Sequence, residues 1–291
     1  MPNRSFLLKL LGSLLSTGLL IVLIIWSWED VLTALGKISL SALLAAFAFI
    51  FASRIFTALR WHILLRAGGI PIPFKDTLSL TFTGLFASNF LPTTIGGDVV
   101  RLAGTIQLGH DRATCLASLA ADRLVNMTGM TLASPLGLYQ VLQTAPSLQA
   151  AFLPGLWRKT LDFARRTLAS LGIWLKKPQS LLTALGFAFA HILSTFAAHF
   201  LLIHALGGEI EFWRLAGLLS LGYFIGLVPI SINGYGWQEL TASALLTGIG
   251  GLDISISATV ALIIRLLSIF GSLPGALTLP AILAKMEKPA S

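Results

Sequence analysis

Asp98 and Arg101 stand three residues apart, directly after the pair Gly96-Gly97. A similar stretch, Asn233-Gly234-Tyr235-Gly236-Trp237-Gln238, closes on Glu239. Asp122-Arg123 and Arg265 add further charges inside otherwise apolar runs. Acids and bases placed this way can bind charged groups or pair across a helix bundle. Ionisable residues at membrane depth are costly, and where they persist they mark a functional site. The apolar run entering the first stretch is stopped by Asn89 and Pro92, and the second stretch begins at Pro229. Irregular backbone at that depth is tolerated only where it is buried in protein or lines a wet cavity. The plain alternative is that both stretches are polar loops at helix ends.

Covalent chemistry finds less support. A membrane-embedded lipid-modifying enzyme would show a His/Asp cluster or metal-ligand spacing. His191 and His199, eight residues apart, can share a helix face, but no carboxylate accompanies them. Cys115 is the only cysteine, so neither an intrachain disulfide nor a cysteine metal site exists. No Gly-x-x-x-x-Gly-Lys phosphate loop is present. No cofactor or metal is expected, and the chain is not read as an enzyme.

The elements that position these residues are membrane helices. Of 291 residues, 55% are hydrophobic and 11% charged, with mean hydropathy +0.85. A soluble domain carries about 25% charged residues. Several apolar runs reach the roughly 20 residues that a bilayer requires. The composition predicts an all-α, polytopic membrane bundle of about seven transmembrane helices. The net charge of +8 is assigned to helix ends and anionic lipid, not to nucleic acid.

Residues 1–36 form a leading segment whose apolar run, Phe6 to Trp26, is closed by Trp26 and Trp28. A signal peptide would have a shorter apolar core and a small-x-small cleavage site, so a retained helix is expected. The second run, about Leu40 to Leu65, carries Arg54 deep within it and Arg60 near its end, where Arg60 and Arg66 can snorkel to an interface. Within the fourth run, Asp122 and Arg123 are adjacent and do not share a helix face. Each therefore needs its own partner across the bundle. Residues 143–179 change character: Arg158, Lys159, Arg165, Arg166, Lys176 and Lys177 face one acid, Asp162. This reads as a cytoplasmic amphipathic connector on anionic lipid head groups.

Residues 37–142 and 180–284 look like two copies of one unit. Gly109, Asp111, Arg123 and Gly129 match Gly251, Asp253, Arg265 and Gly271 at one shared separation. Pro92 and Gly97 match Pro229 and Gly234 at a slightly shorter one, and Gly68-Gly69 matches Gly207-Gly208. Broken apolar segments at corresponding places in two repeats are a pointer to a transporter's binding site. If the broken runs cross fully, three crossings separate corresponding points and the repeats are inverted. If each dips in and returns, two crossings leave them parallel. Charge placement favours full crossings.

Asn89-Phe90-Leu91-Pro92 followed by Gly96-Gly97-Asp98-x-x-Arg101 resembles the first hallmark of the flippase-like integral membrane proteins, also called the lysylphosphatidylglycerol synthase transmembrane region. Asp122-Arg123 resembles that family's acid-Arg pair, usually Glu-Arg, and Pro229-x-Ser231-x-x-Gly234-x-Gly236-x-x-Glu239 resembles its last motif. The likeness spans about Ala42 to Leu283. It implies a multi-pass protein of a bacterial cytoplasmic membrane that moves a phospholipid or a lipid-linked envelope precursor between leaflets. The chain has no stretch polar enough for the family's soluble synthase domain, so handling without synthesis is implied. It also implies roles in substrate binding for Asn89, Pro92, Gly96, Gly97, Asp98, Arg101, Asp122, Arg123, Asn233, Gly234, Gly236, Glu239 and Arg265. Arginine's planar fork suits a lipid phosphate, which points to Arg101, Arg123 and Arg265. Asp98 and Glu239 suit a cationic group or a proton. The rival readings are a membrane-embedded lipid-modifying enzyme and a non-transporting partner of an envelope-synthesis complex.

Overall fold

The computed structural model describes residues 38–90, 96–144, 176–226 and 234–280, with Gly18, Thr33, Gly36, Trp174 and Ser231 as isolated positions. The expected leading helix, Pro92, Pro229, Asn233 and most of the basic connector lie outside the described residues.

Among the described residues every regular element is helical. Helix α1 covers Leu40–Ala67, α2 Phe74–Ser88, α3 Gly96–Gln107 and α4 Arg112–Thr144. Helix α5 covers Pro178–Ala205, α6 Phe212–Gly226, α7 Trp237–Gly248 and α8 Ile254–Ser272, followed by a 3-10 turn at Leu273–Leu277. The lengths run 28, 15, 12 and 33 residues, then 28, 15, 12 and 19. Among the described residues, three helical stretches are long and apolar enough to cross a membrane: Leu40–Ala67, Pro178–Ala205 and Ile254–Leu277. Their outer faces carry large apolar side chains in the open, among them Leu44, Leu182, Leu193, Leu266 and Phe270. A helix that is apolar all round suits lipid on one side and protein on the other.

Helices α1 and α5 form the central pair and run antiparallel. Ala46 and Ile50 share an apolar cluster with Ala198 and Leu202. The Ser53 carbonyl lies 3.1 Å from His191 Nδ1, and Phe56 stacks on Phe187. Leu64 and Ala67 cluster with Ala184 and Ala188. Lys177, counted with the basic connector, donates through Nζ to the Ala67 carbonyl at 2.8 Å. That carbonyl belongs to the unsatisfied last turn of α1, where a cation is favoured.

Helices α2 and α3 form a hairpin that dips in and returns. At 15 residues, α2 extends only about 22 Å, short of a hydrocarbon core of about 30 Å. Both ends of the hairpin lie at the Ala67 end of α1, because Gly68 sits against Thr114 at the start of α4. Helices α6 and α7 do the same from the opposite end, where Gly208 sits against Leu252. The full crossings favoured by charge placement are thus corrected: the short helices cannot span. The link between dipping segments and a parallel repeat also fails. Helices α4 and α5 run in the same direction, with Gly129 against Ile192 and Met130 clustered with Ile192 and Phe196. Helix α4 therefore ends at the opposite end of the bundle from where α5 begins, and α5 opposes α1.

Glycines set the hairpin geometry. A methyl on Gly84 of α2 would sit 2.7 Å from the Gly97 carbonyl oxygen of α3 and 2.9 Å from Arg101 Cγ. Gly84→Ala is expected to lower the thermal midpoint, since overpacking costs about 1–3 kcal/mol. Gly186→Ala, with nothing within 4 Å of the added carbon, is expected to be neutral or stabilising. Scanning calorimetry of both variants checks this. Gly69 and Gly207, at φ 92° and 81°, turn the chain after α1 and α5 in a conformation that side chains disfavour. Gly69 and Gly207 thus share this left-handed turn.

Candidate functional site

The charged residues assemble into two groups. Asp122 of α4, 2% exposed, is the hub of the first. Its Oδ1 accepts from Arg60 Nε at 2.6 Å, and its Oδ2 accepts from Arg101 Nη2 at 3.1 Å. Arg60 also donates to Asn126 Oδ1 at 2.6 Å, and Asn126 donates in turn to the Tyr223 hydroxyl at 3.2 Å. Arg101 spans the gap to α3's first turn by donating to Asp98 Oδ1 at 3.0 Å. Its guanidinium carbon lies 3.9 Å from the Trp61 ring centroid, a cation–π arrangement. Arg123 Nε pairs with the second oxygen of Asp98. Asp98 is well placed in the first turn of α3, where the helix dipole favours an anion.

Adjacent Asp122 and Arg123 do take separate partners, as their positions on the helix require. Arg60 is corrected: it does not snorkel outward but is 4% exposed and bound to Asp122. The buried carboxylate explains this, because a lone anion at that depth would be uncompensated. The side chain of Arg123 is 45% exposed, so it closes the rim of the group and is not enclosed.

The second group belongs to α7 and α8. Glu239, 5% exposed, accepts through Oε1 from Arg265 Nε. Arg265 Nη2 donates to Gln238 Oε1 at 3.0 Å, and its guanidinium carbon lies 4.9 Å from the Tyr235 ring centroid. The turn before α7 folds through Gly234 and Gly236, at φ 74° and 73°. A side-chain carbon at Gly234 would also run into Gln238, within 2.8 Å of its Cγ. Asp98 and Glu239 hold the same place in their helices, the third residue of α3 and of α7. Each binds the Nε of an arginine on the following long helix.

The tips of the two hairpins touch. The Tyr235 hydroxyl donates to the Asn89 carbonyl at 3.3 Å, and Asn89 Nδ2 donates to Ser272 Oγ at 3.0 Å. Beside this junction lies a cavity of about 440 Å³. Arg54, Ser88, Asn89, Thr195, His199, Tyr223, Gln238, Glu239, Arg265, Ser268 and Ser272 supply its polar lining. Leu218, Leu219, Leu245 and Ala261 are among its apolar walls.

The structure thus divides the expected site residues. Asn89, Glu239 and Arg265 reach the cavity. Asp98, Arg101, Asp122 and Arg123 form the neighbouring ion network and do not line it. Gly96 and Gly97 start α3, and Gly97 meets Gly84 at the close crossing with α2. Pro92 and Asn233 are outside the described residues. Sequence reasoning missed Gln238, Tyr223 and His199 as lining residues, and it left Arg54 undecided. The available signal for Arg54 was its place near the middle of α1, far from either interface. Among the described residues no group of three or more metal-ligating side chains forms.

Comparison with curated proteins gives no match. The family model described as lysylphosphatidylglycerol synthase TM region matches residues 9–158 and 138–275. Those spans take in both hairpins, both charged groups and all of the cavity's lining, and the chain belongs to the lysylphosphatidylglycerol synthase TM region family.

Proposed function

We propose that this protein is a lipid flippase, moving a phospholipid or lipid-linked envelope precursor between the leaflets of a bacterial cytoplasmic membrane. The observation that carries the reading is the meeting of two hairpins, entered from opposite ends of the bundle, beside a cavity whose largely apolar walls carry several polar and charged side chains. Broken helices that converge near mid-membrane are the usual build of a transporter site. A polar headgroup needs such a passage through a core about 30 Å thick.

An inverted repeat supports the same reading. The helix lengths recur as 28, 15 and 12 residues. The left-handed glycines Gly69 and Gly109 answer to Gly207 and Gly251, and the Asp98–Arg123 pair answers to Glu239–Arg265. An axis that exchanges antiparallel α1 and α5 must run across them, hence in the membrane plane. Each half then offers one hairpin to one face, which suits alternating exposure of a central site.

The test uses purified protein in liposomes with a headgroup-labelled phospholipid. Loss of inner-leaflet label to a membrane-impermeant quencher should be faster than in protein-free vesicles. No acceleration for any phospholipid or polyprenyl-linked lipid would overturn the reading. A chemically altered lipid would mean an enzyme instead, and a lipid neither moved nor altered would mean a non-transporting partner.

A further inference from the structure

We propose that the central cavity binds the headgroup of a small phosphodiester lipid, with Arg54 as the phosphate anchor and Glu239 as acceptor for an N–H or O–H donor on the same headgroup. The inference rests on the translocation reading and names the chemistry of its substrate.

The charge inventory leads to it. In the first group, Arg60, Arg101 and Arg123 are all engaged by Asp98 and Asp122. In the second, Arg265 is engaged by Glu239. Arg54 has no ion pair among the described residues, and its Nε is buried with no hydrogen-bond partner. A guanidinium cannot shed its charge to escape this, and an unpaired charge in the bundle interior is expensive. Glu239 Oε2 is also buried and unpartnered, while its Oε1 is taken by Arg265.

Both unsatisfied atoms belong to residues that line the same cavity. One group only donates and the other only accepts, yet no ion pair joins them. A ligand that satisfies both must carry an anionic acceptor and a donor. A phosphate ester of a short amino or hydroxy alcohol has this form, and the planar fork of arginine fits its oxygens. The cavity of about 440 Å³ is at the small end for ligand sites. It suits a headgroup alone, with acyl chains left outside. Hydroxyls of Ser268 and Ser272 and the amide of Asn89 complete a polar lining. Arg101 and Arg123 are not assigned to the phosphate, because they pair with Asp98 and Asp122 and do not line the cavity.

Binding is tested apart from transport, on the full chain in detergent, with soluble phosphoethanolamine, phosphocholine and inorganic phosphate as probes. Phosphoethanolamine should bind saturably and raise the melting temperature. Phosphocholine, which lacks an N–H, should bind about tenfold more weakly, the effect of one charge-assisted hydrogen bond. Arg54→Gln should weaken phosphoethanolamine by about tenfold or more on the same ground, Arg54→Lys by less, and exposed Lys75→Gln not at all. Arg54→Met should melt no lower than the unmodified protein, since it removes an unpaired charge. Unchanged binding in Arg54→Gln, or a lower melting temperature in Arg54→Met, overturns the proposal. Inorganic phosphate binding as tightly as phosphoethanolamine also overturns it, in favour of a free-phosphate site. Binding as described in a protein that moves no lipid would count against the translocation reading alone.

Discussion

Asp122→Ala is expected to be the most destabilising single substitution in the charged network. Asp122 is the shared anion for Arg60 and Arg101, which are buried on α1 and α3 while it sits on α4. Removing one partner of a buried ion pair costs about 3–5 kcal/mol, because the other charge stays behind. Here two guanidiniums lose their partner at once, and Asn126 and Asp98 retain only part of the compensation. Total stabilities are commonly about 5–15 kcal/mol, so a loss of this size should lower both melting temperature and the yield of extracted protein. Asp122→Glu keeps the charge on a longer stem and should recover most of the loss. The double variant Asp122→Ala with Arg60→Met should melt higher than Asp122→Ala alone, since it deletes one of the abandoned charges. Such non-additivity is the mark of a direct pair. A single variant that melts within a degree of the unmodified protein would show that the network contributes little.

What the sequence made legible follows from what a linear pattern encodes. The membrane class, the breaks at Asn89 and Gly234 and the charge of Asp98 and Glu239 are written along the chain. The separate partners of Asp122 and Arg123 followed from their adjacency, since neighbours on a helix point apart. The facing of α1 was not legible. That helix is apolar on all sides, so periodicity cannot say which way Arg54 and Arg60 turn. Their fates are set by Asp122 and by the cavity, both contributed from distant parts of the chain. The depth of the hairpins was hidden for a similar reason. An apolar run that dips to mid-membrane reads like one that crosses, and only the contact of Gly68 with Thr114 shows the return. Chain direction was lost too, because it depends on α4 and α5 running the same way.

Glu239→Gln should abolish translocation with a smaller loss of stability than Asp98→Asn, although the two acids occupy equivalent helix positions. The difference lies in what each faces. Asp98 holds Arg101 and Arg123 in the ion network, away from the cavity. Its amide can accept only weakly from two cations, and the ordering of α3 against α4 should suffer. Glu239 faces the cavity and binds only Arg265, which keeps its hydrogen bond to Gln238 and its place over the Tyr235 ring. A glutamine oxygen there still accepts from Arg265 Nε, so packing survives. The cavity changes instead: Glu239 is the one carboxylate among the described residues of its lining, and without that charge the net charge of Arg54, Arg265 and residue 239 rises from one positive charge to two. An anion held there should bind more tightly and leave more slowly. Transport depends on release as well as capture, so the rate falls even as phosphate affinity rises. Three measurements on each variant decide the matter: lipid exposure in proteoliposomes, melting temperature and inorganic phosphate affinity. Glu239→Gln should give at least about a tenfold slower exchange, corresponding to about 1.4 kcal/mol on the barrier, together with tighter phosphate binding. Normal exchange in Glu239→Gln would remove this carboxylate from the transport path. Lost exchange with a melting temperature as low as that of Asp98→Asn would make Glu239 a structural partner of Arg265 and nothing more.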